Sequence, residues 1–247
     1  MGASLIAALR FLTRLPIPGP ETRSGHLSGA VAWFPLVGAL VGLATAGVFV
    51  LALGLWPAPL AAVLAVAFGL LLTGGFHEDG ATDATDGLGG GWTTERVVEI
   101  MRDSRIGAYG AMTLWVLLSL RWAALVALDR RALVALPLAM VWGRWSIAVM
   151  LKALPPASPG LASQVHQGMG WRPVLLASGL AGMLGFAAWA LGLLSLAEWG
   201  KSAAASGIAV LAWILYLKQR LGGQTGDLLG AGNQLVEAAV LLAWIAR

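Results

Sequence analysis

The chain has 247 residues, 58% of them hydrophobic and only 11% charged, against roughly 25% charged in an ordinary soluble domain. Its mean hydropathy of +0.79 excludes a water-soluble enzyme and predicts one all-α, polytopic membrane domain over residues 1–247, with the lipid bilayer as its surroundings. There is no cysteine, which excludes disulfides and thiolate metal sites, and the basic residues behind a pI of 10.1 form no patch or run, which excludes nucleic acid as a partner.

In chain order, residues 4–15 carry Leu5, Leu9 and Leu12 on one face and Arg10 and Arg14 on another. That segment is too short and too charged to span, so a helix lying at the membrane interface is expected, ended by Pro16, Pro18, Gly19 and Pro20. No cleavable signal is expected, because Met1–Arg10 has no early basic cluster. Apolar runs predict spans over about 29–53, 59–75, 108–128, 131–151, 174–196 and 203–216, with a seventh opened by Asp227. With the N-terminus inside, the inside segments hold Arg10, Arg14, Arg23, Arg96, Arg102, Arg105, Lys152, Arg172, Lys218 and Arg220. The outside segments hold Arg130, Arg131, Lys201 and Arg247. Ten against four predicts that orientation.

Between the second and third spans lies Gly74-Gly75-Phe76-His77-Glu78-Asp79-Gly80-Ala81-Thr82-Asp83-Ala84-Thr85-Asp86-Gly87. It concentrates four carboxylates into nine residues of a chain with twelve acidic residues in all. On a helix, Asp79, Asp83 and Asp86 fall at i, i+4 and i+7, within about 60° of one face. Glu78 sits roughly 100° round from them. Four clustered like charges need a cation, so Glu78, Asp79, Asp83 and Asp86 are candidate ligands of Mg²⁺. A solvated acidic loop is the plainer alternative. Asp86, at the end of the run and beside a glycine joint, is the candidate general base, and Asp103 is the second choice. His77 would face away from the aspartates.

A short amphipathic helix is expected over 92–106, capped by Thr93 or Thr94. It leads into Met101-Arg102-Asp103-Ser104-Arg105-Ile106-Gly107, where two arginines suit a phosphate unless they pair internally with Glu95, Glu99 and Asp103. Arg144, embedded in the fourth span, must face a cavity or a carboxylate. Residues 152–172 make a long Pro/Gly-rich loop expected to cover a site. Near the C-terminus, Gly222, Gly226 and Gly230 recur every four residues, predicting a face for close helix packing. Glu237 lies inside the last span and needs a partner such as Arg144.

Four of these pieces resemble the cobalamin synthase family: Phe11-Leu12-Thr13-Arg14-Leu15-Pro16, the acidic stretch from Gly75 to Gly87, Met101 to Gly107, and Thr225-Gly226-Asp227-Leu228-Leu229-Gly230-Ala231 with Glu237. Ala81-Thr82 stands where the family more often has Leu-Ala, which leaves the carboxylates untouched. The resemblance implies a Mg²⁺-dependent transferase of the bacterial cytoplasmic membrane that joins adenosylcobinamide-GDP to α-ribazole, or its 5′-phosphate, and releases GMP. It implies catalytic roles for Asp83, Asp86 and Asp103, and substrate contacts from Arg14, His77, Arg102, Ser104, Arg105, Arg144, Asp227 and Glu237, with the site facing the cytoplasm. Three rivals differ: CDP-alcohol phosphotransferases need an Asp-Gly-x-x-Ala-Arg segment missing after Gly87, aspartate-rich prenyltransferases need a second acidic motif, and cation transporters usually carry repeated halves. Assembly with a second copy of the chain stays open.

Overall fold

The computed structural model describes residues 2–19 and 24–246; Pro20, Arg23 and Arg247 lie outside the described residues. In chain order the helices are α1 (Gly2–Leu12), α2 (Ser24–Ala30), α3 (Phe34–Ala52), α4 (Ala58–Thr73), α5 (Phe76–Gly90) and α6 (Thr94–Met101). There follow α7 (Ala108–Leu128), α8 (Ala132–Ala153), α9 (Leu161–Gln167), α10 (Trp171–Ala190), α11 (Leu196–Arg220) and α12 (Gly226–Ile245). No strand occurs among the described residues apart from a single bridge between Pro156 and Gln224. The all-α membrane fold expected from hydropathy is therefore the fold observed.

Five helical stretches are long and apolar enough to cross a bilayer, or six if a bent pair counts as one broken span. One of the five, Ala108–Ala153, has 46 residues, about 69 Å of helix, more than twice a ~30 Å hydrocarbon core. It divides into α7 and α8 at Asp129, whose φ of 50° breaks the α-helical path. The bent pair is α4 and α5, which meet at 88°. The cause is local: Gly74 and Gly75 have φ of 71° and 65°, a left-handed pair that glycine adopts without steric cost. The acidic helix thus leaves the line of the preceding span. Helix α11 begins well before the expected Ala203, because Ser195 and Glu198 form a capping box that starts it at Leu196. The long 152–172 loop contains α9.

Helix α12 occupies the centre, packed against α5, α7, α8 and α11, while α3 lies along α8. The expected glycine face is only partly used. Gly222 sits in the turn after α11 with φ 71°, and a Cβ on Gly226 would meet nothing. Gly230 alone does the packing: a Cβ there would lie 3.5 Å from Gly80 Cα and 3.4 Å from the His77 carbonyl, so α5 crosses α12 at close range.

The helices are also joined by buried charge. Arg121 of α7 donates from Nη1 to Glu78 Oε1 at 2.7 Å, and from Nη2 to Gln234 Oε1 at 2.6 Å and Glu237 Oε2 at 3.1 Å. Arg144 of α8 pairs with Glu237 Oε1, which also accepts from Asn233 Nδ2 at 2.8 Å. Gly143 permits this contact, since a Cβ there would sit 2.8 Å from Glu237 Cγ. Glu237 and Arg144 are 1% and 2% exposed, so the pairing of Arg144 with Glu237 expected from their burial is present. Removing one partner of a buried pair leaves an uncompensated charge, at a cost of about 3–5 kcal/mol. Glu237→Gln should therefore lower the unfolding midpoint in detergent sharply while Glu99→Gln, at the exposed pair with Arg96, barely changes it. Equal midpoints for the two variants would contradict the network's structural weight.

Candidate active site

Helix α5 places its four carboxylates in different surroundings. Glu78 is buried and held by Arg121. Asp86, also buried, accepts through Oδ2 from the Gly107 amide at 2.7 Å and through Oδ1 from the Gly110 amide at 2.8 Å. These are orphan donors of the first turn of α7, so Asp86 caps that helix from another element. Glycine is needed at both positions: a Cβ would lie 2.9 Å from the Asp86 carboxyl carbon at Gly107 and 3.0 Å from it at Gly110. Asp79 is exposed and Asp83 half-buried. Both lie near enough to Asp227, in the first turn of α12, for the three charges to repel one another.

Helical spacing suggests four ligands around one ion; the fold does not assemble them. No group of three or more His, Asp or Glu among the described residues is arranged as a metal site. The reason is that Glu78 is engaged by a guanidinium and Asp86 by two backbone amides. Asp86 also has both oxygens occupied, which argues against its expected role as general base. The acidic donors left at the cavity are Asp79 and Asp227, with Asp83 close by. They are oxygen ligands of the hard type Mg²⁺ prefers, and their mutual repulsion is what a divalent ion would relieve.

Asp79 and Asp227 open onto a cavity of about 310 Å³ that also reaches His77 and Arg102. Its apolar wall includes Phe11, Phe34 and Phe76, with Phe11 stacked on Phe34 at 5.8 Å between centroids and edge-on to Phe76 at 5.2 Å. Residues 158–163, including the start of α9, close another side, so the Pro/Gly-rich loop does lie over the site. Arg102 donates to the Pro159 carbonyl at 3.2 Å and stands near Asp227. Thr93 caps α6 by accepting from the Arg96 amide at 3.3 Å and so sets the helix that delivers Arg102.

Arg105 is differently placed. Its guanidinium forks onto Asp103, with Nε–Oδ1 at 3.0 Å and Nη2–Oδ2 at 2.6 Å. These hydrogen bonds hold the Asp103 carboxyl down at about 2, which makes it a poor proton acceptor. Internal pairing is thus the observed state of Arg105, though such an exposed pair is worth little and opens readily. Neither Arg105 nor the exposed Ser104 lines the cavity. Arg14 lies outside it too: its amide donates to Leu72 at 2.8 Å and its guanidinium rests against Gly74. Arg144 and Glu237 belong to the buried network.

Arg121 is the functional partner that the sequence analysis did not single out, although a lone arginine in an apolar helix is itself a signal. The Asp86 cap could not have been found, because it joins residues more than twenty positions apart through backbone amides.

The chain is similar to known proteins over nearly its whole length. The family model described as cobalamin-5-phosphate synthase matches residues 4–245. A protein named adenosylcobinamide-GDP ribazoletransferase from Ralstonia nicotianae is 42% identical, over 98% of this chain and 95% of its own. The protein of that name from Leptothrix cholodnii is 40% identical over 97% and 93%, and that from Shewanella frigidimarina 36% over 97% and 92%. No solved structure matches. These matches lend nothing to the prenyltransferase, CDP-alcohol phosphotransferase or transporter readings.

The cap on α7 makes a direct prediction. Asp86→Asn places an NH₂ where one acceptor oxygen stood, and loss of a capping group costs about 0.5–2 kcal/mol. Hydrogen exchange at the Gly107 and Gly110 amides should accelerate about 2- to 30-fold, as that cost implies. Unchanged protection would show that the contact does not hold the helix start.

Proposed function

The chain belongs to the cobalamin-5-phosphate synthase family, and from that premise we propose that it is a membrane-embedded adenosylcobinamide-GDP ribazoletransferase whose reaction takes place at the Asp79–Asp227–Arg102 cavity. The observation that carries this is the meeting, at one cavity, of the acidic α5, the first turn of α12 and the arginine at the end of α6. A pyrophosphate needs cationic neutralisation, a positioned nucleophile and a proton acceptor; these elements offer all three.

In this reading a ribose hydroxyl of α-ribazole attacks the phosphorus next to cobinamide. The new P–O bond forms as the bond to GMP breaks, and the hydroxyl proton passes to a carboxylate. Asp83 is the better acceptor, since it is half-buried among like charges while Asp86 and Asp103 are hydrogen-bonded away. Arg102 takes up charge on the departing GMP phosphate. Asp79 and Asp227 would hold Mg²⁺, which when bound offsets the pyrophosphate charge. Glu78 and Arg121 do not touch substrate; they fix where α5 stands. The ten-to-four excess of basic residues supports a cytoplasmic site in a bacterial inner membrane.

The test is GMP release by purified protein in lipid nanodiscs from adenosylcobinamide-GDP and α-ribazole. Wild type should turn over only with Mg²⁺. Asp83→Asn should reduce kcat by about 10²–10⁴-fold, the usual weight of a general base, and Asp79→Asn should raise the Mg²⁺ concentration for half-maximal rate. Full activity in chelator, or near-normal turnover by Asp83→Asn, would overturn the assignment.

A further inference from the structure

The cavity at Asp79 and Asp227 has a neighbour. A second cavity, of about 380 Å³, is lined by Thr94, Glu95, Val98 and Glu99 of α6, by Arg102, and by residues 157–159. Arg102, Ser158 and Pro159 line both cavities. The Arg102 side chain, hydrogen-bonded to the Pro159 carbonyl at 3.2 Å, therefore stands at the boundary between them.

Helical spacing sets out the charges along this second cavity. Glu95, Glu99 and Arg102 fall at i, i+4 and i+7, on one face of α6 and its C-terminal cap. Carboxylates stand toward one end and the guanidinium at the other, with Glu95 and Arg102 about 10 Å apart along the axis. The two carboxylates differ. Glu99 Oε2 is paired with Arg96 Nη1 at 2.8 Å. Among the described residues, no hydrogen bond or ion pair engages the exposed Glu95 carboxylate. A ligand that fits this polarity has a phosphate for Arg102 and, about one nucleoside away, an edge of donors for Glu95. A second anionic group at that end would be repelled. Of the common nucleotide bases, guanine alone offers two adjacent donors, N1–H and the 2-amino group, that a carboxylate accepts with both oxygens. Adenine puts an acceptor, its own N1, at the same place.

We propose that this second cavity is the guanine subsite, an inference that rests on the transferase reading above. The phosphate that leaves as GMP sits at Arg102, and Glu95 accepts from guanine N1–H and the 2-amino group. The pyrophosphate then lies across the boundary that Arg102 marks, with Asp79 and Asp227 on the other side of it. Glu95 is the specificity-determining residue for the nucleotide, and Glu99 is held off it by Arg96.

The experiment uses the whole protein in nanodiscs with GMP and AMP as probes, each measured by equilibrium dialysis in the presence of Mg²⁺. Wild type should bind GMP about tenfold or more tightly than AMP, the scale of hydrogen bonds to a charged group. Glu95→Gln, at an exposed and unpaired side chain that the fold does not need, should weaken GMP to the level of AMP and leave AMP unchanged. Glu99→Gln should keep the wild-type preference. In the turnover assay Glu95→Gln should raise KM for adenosylcobinamide-GDP about tenfold, with KM for α-ribazole unchanged. Equal binding of GMP and AMP by wild type, or a preference that survives Glu95→Gln, would overturn the subsite while leaving the transferase reading intact. A preference lost in Glu99→Gln and kept in Glu95→Gln would overturn the assignment to Glu95. Selective, Glu95-dependent GMP binding by protein that releases no GMP from adenosylcobinamide-GDP and α-ribazole would instead refute the transferase reading and leave the subsite standing.

Discussion

Two arginines and two glutamates are buried together among the central helices, and the rest of the molecule is arranged around keeping them paired. Arg121, Glu78, Glu237 and Arg144 cancel in charge, and Gln234 and Asn233 add hydrogen bonds to them. An unpaired charge in the apolar interior of a membrane protein costs several kcal/mol. The pairing therefore holds α5, α7, α8 and α12 in one relation. A hydrophobic replacement of the whole set could be equally stable, so its retention is better understood as specification of geometry than as a source of stability.

What that geometry specifies is the site. Left-handed Gly74 and Gly75 turn α5 away from α4, Glu78 is drawn to Arg121, and Asp86 is drawn to the start of α7. Fixed near both ends, the helix presents Asp79 and Asp83 toward Asp227, at the close crossing of Gly80 and Gly230. The acidic motif thus does two jobs with one residue type. Glu78 and Asp86 are structural anchors, and the aspartates between them are the ones the proposed reaction assigns to a cation and a phosphate. Arg144 links the same network to His77, so the floor of the cavity and the acidic rim share one foundation.

Much of this was legible in the sequence. The apolar runs gave away the helices, and the burial of Glu237 within a span required a cationic partner that turned out to be Arg144. Helical periodicity placed Asp79, Asp83 and Asp86 on one face, as found, but periodicity says nothing of what lies opposite. The backbone amides of Gly107 and Gly110 opposite Asp86, and Arg121 opposite Glu78, were invisible for that reason. The start of α11 was missed because hydropathy sees the apolar middle of a helix and not the Ser195–Glu198 box that begins it. The aromatic wall from Phe11 and Phe34 could not be foreseen, since it depends on Phe11 of α1 meeting both Phe34 of α3 and Phe76 of α5.

The central claim is that Glu78 serves the site through Arg121 and not as a metal ligand. A double-mutant cycle on turnover, with Glu78→Gln, Arg121→Gln and both together, tests it directly. If the two residues act as one unit, each single variant loses activity and the double variant loses about as much as the worse single one, a coupling of roughly 0.5–3 kcal/mol. Losses that simply add, together with a raised Mg²⁺ requirement confined to Glu78→Gln, would contradict the account and return Glu78 to the metal.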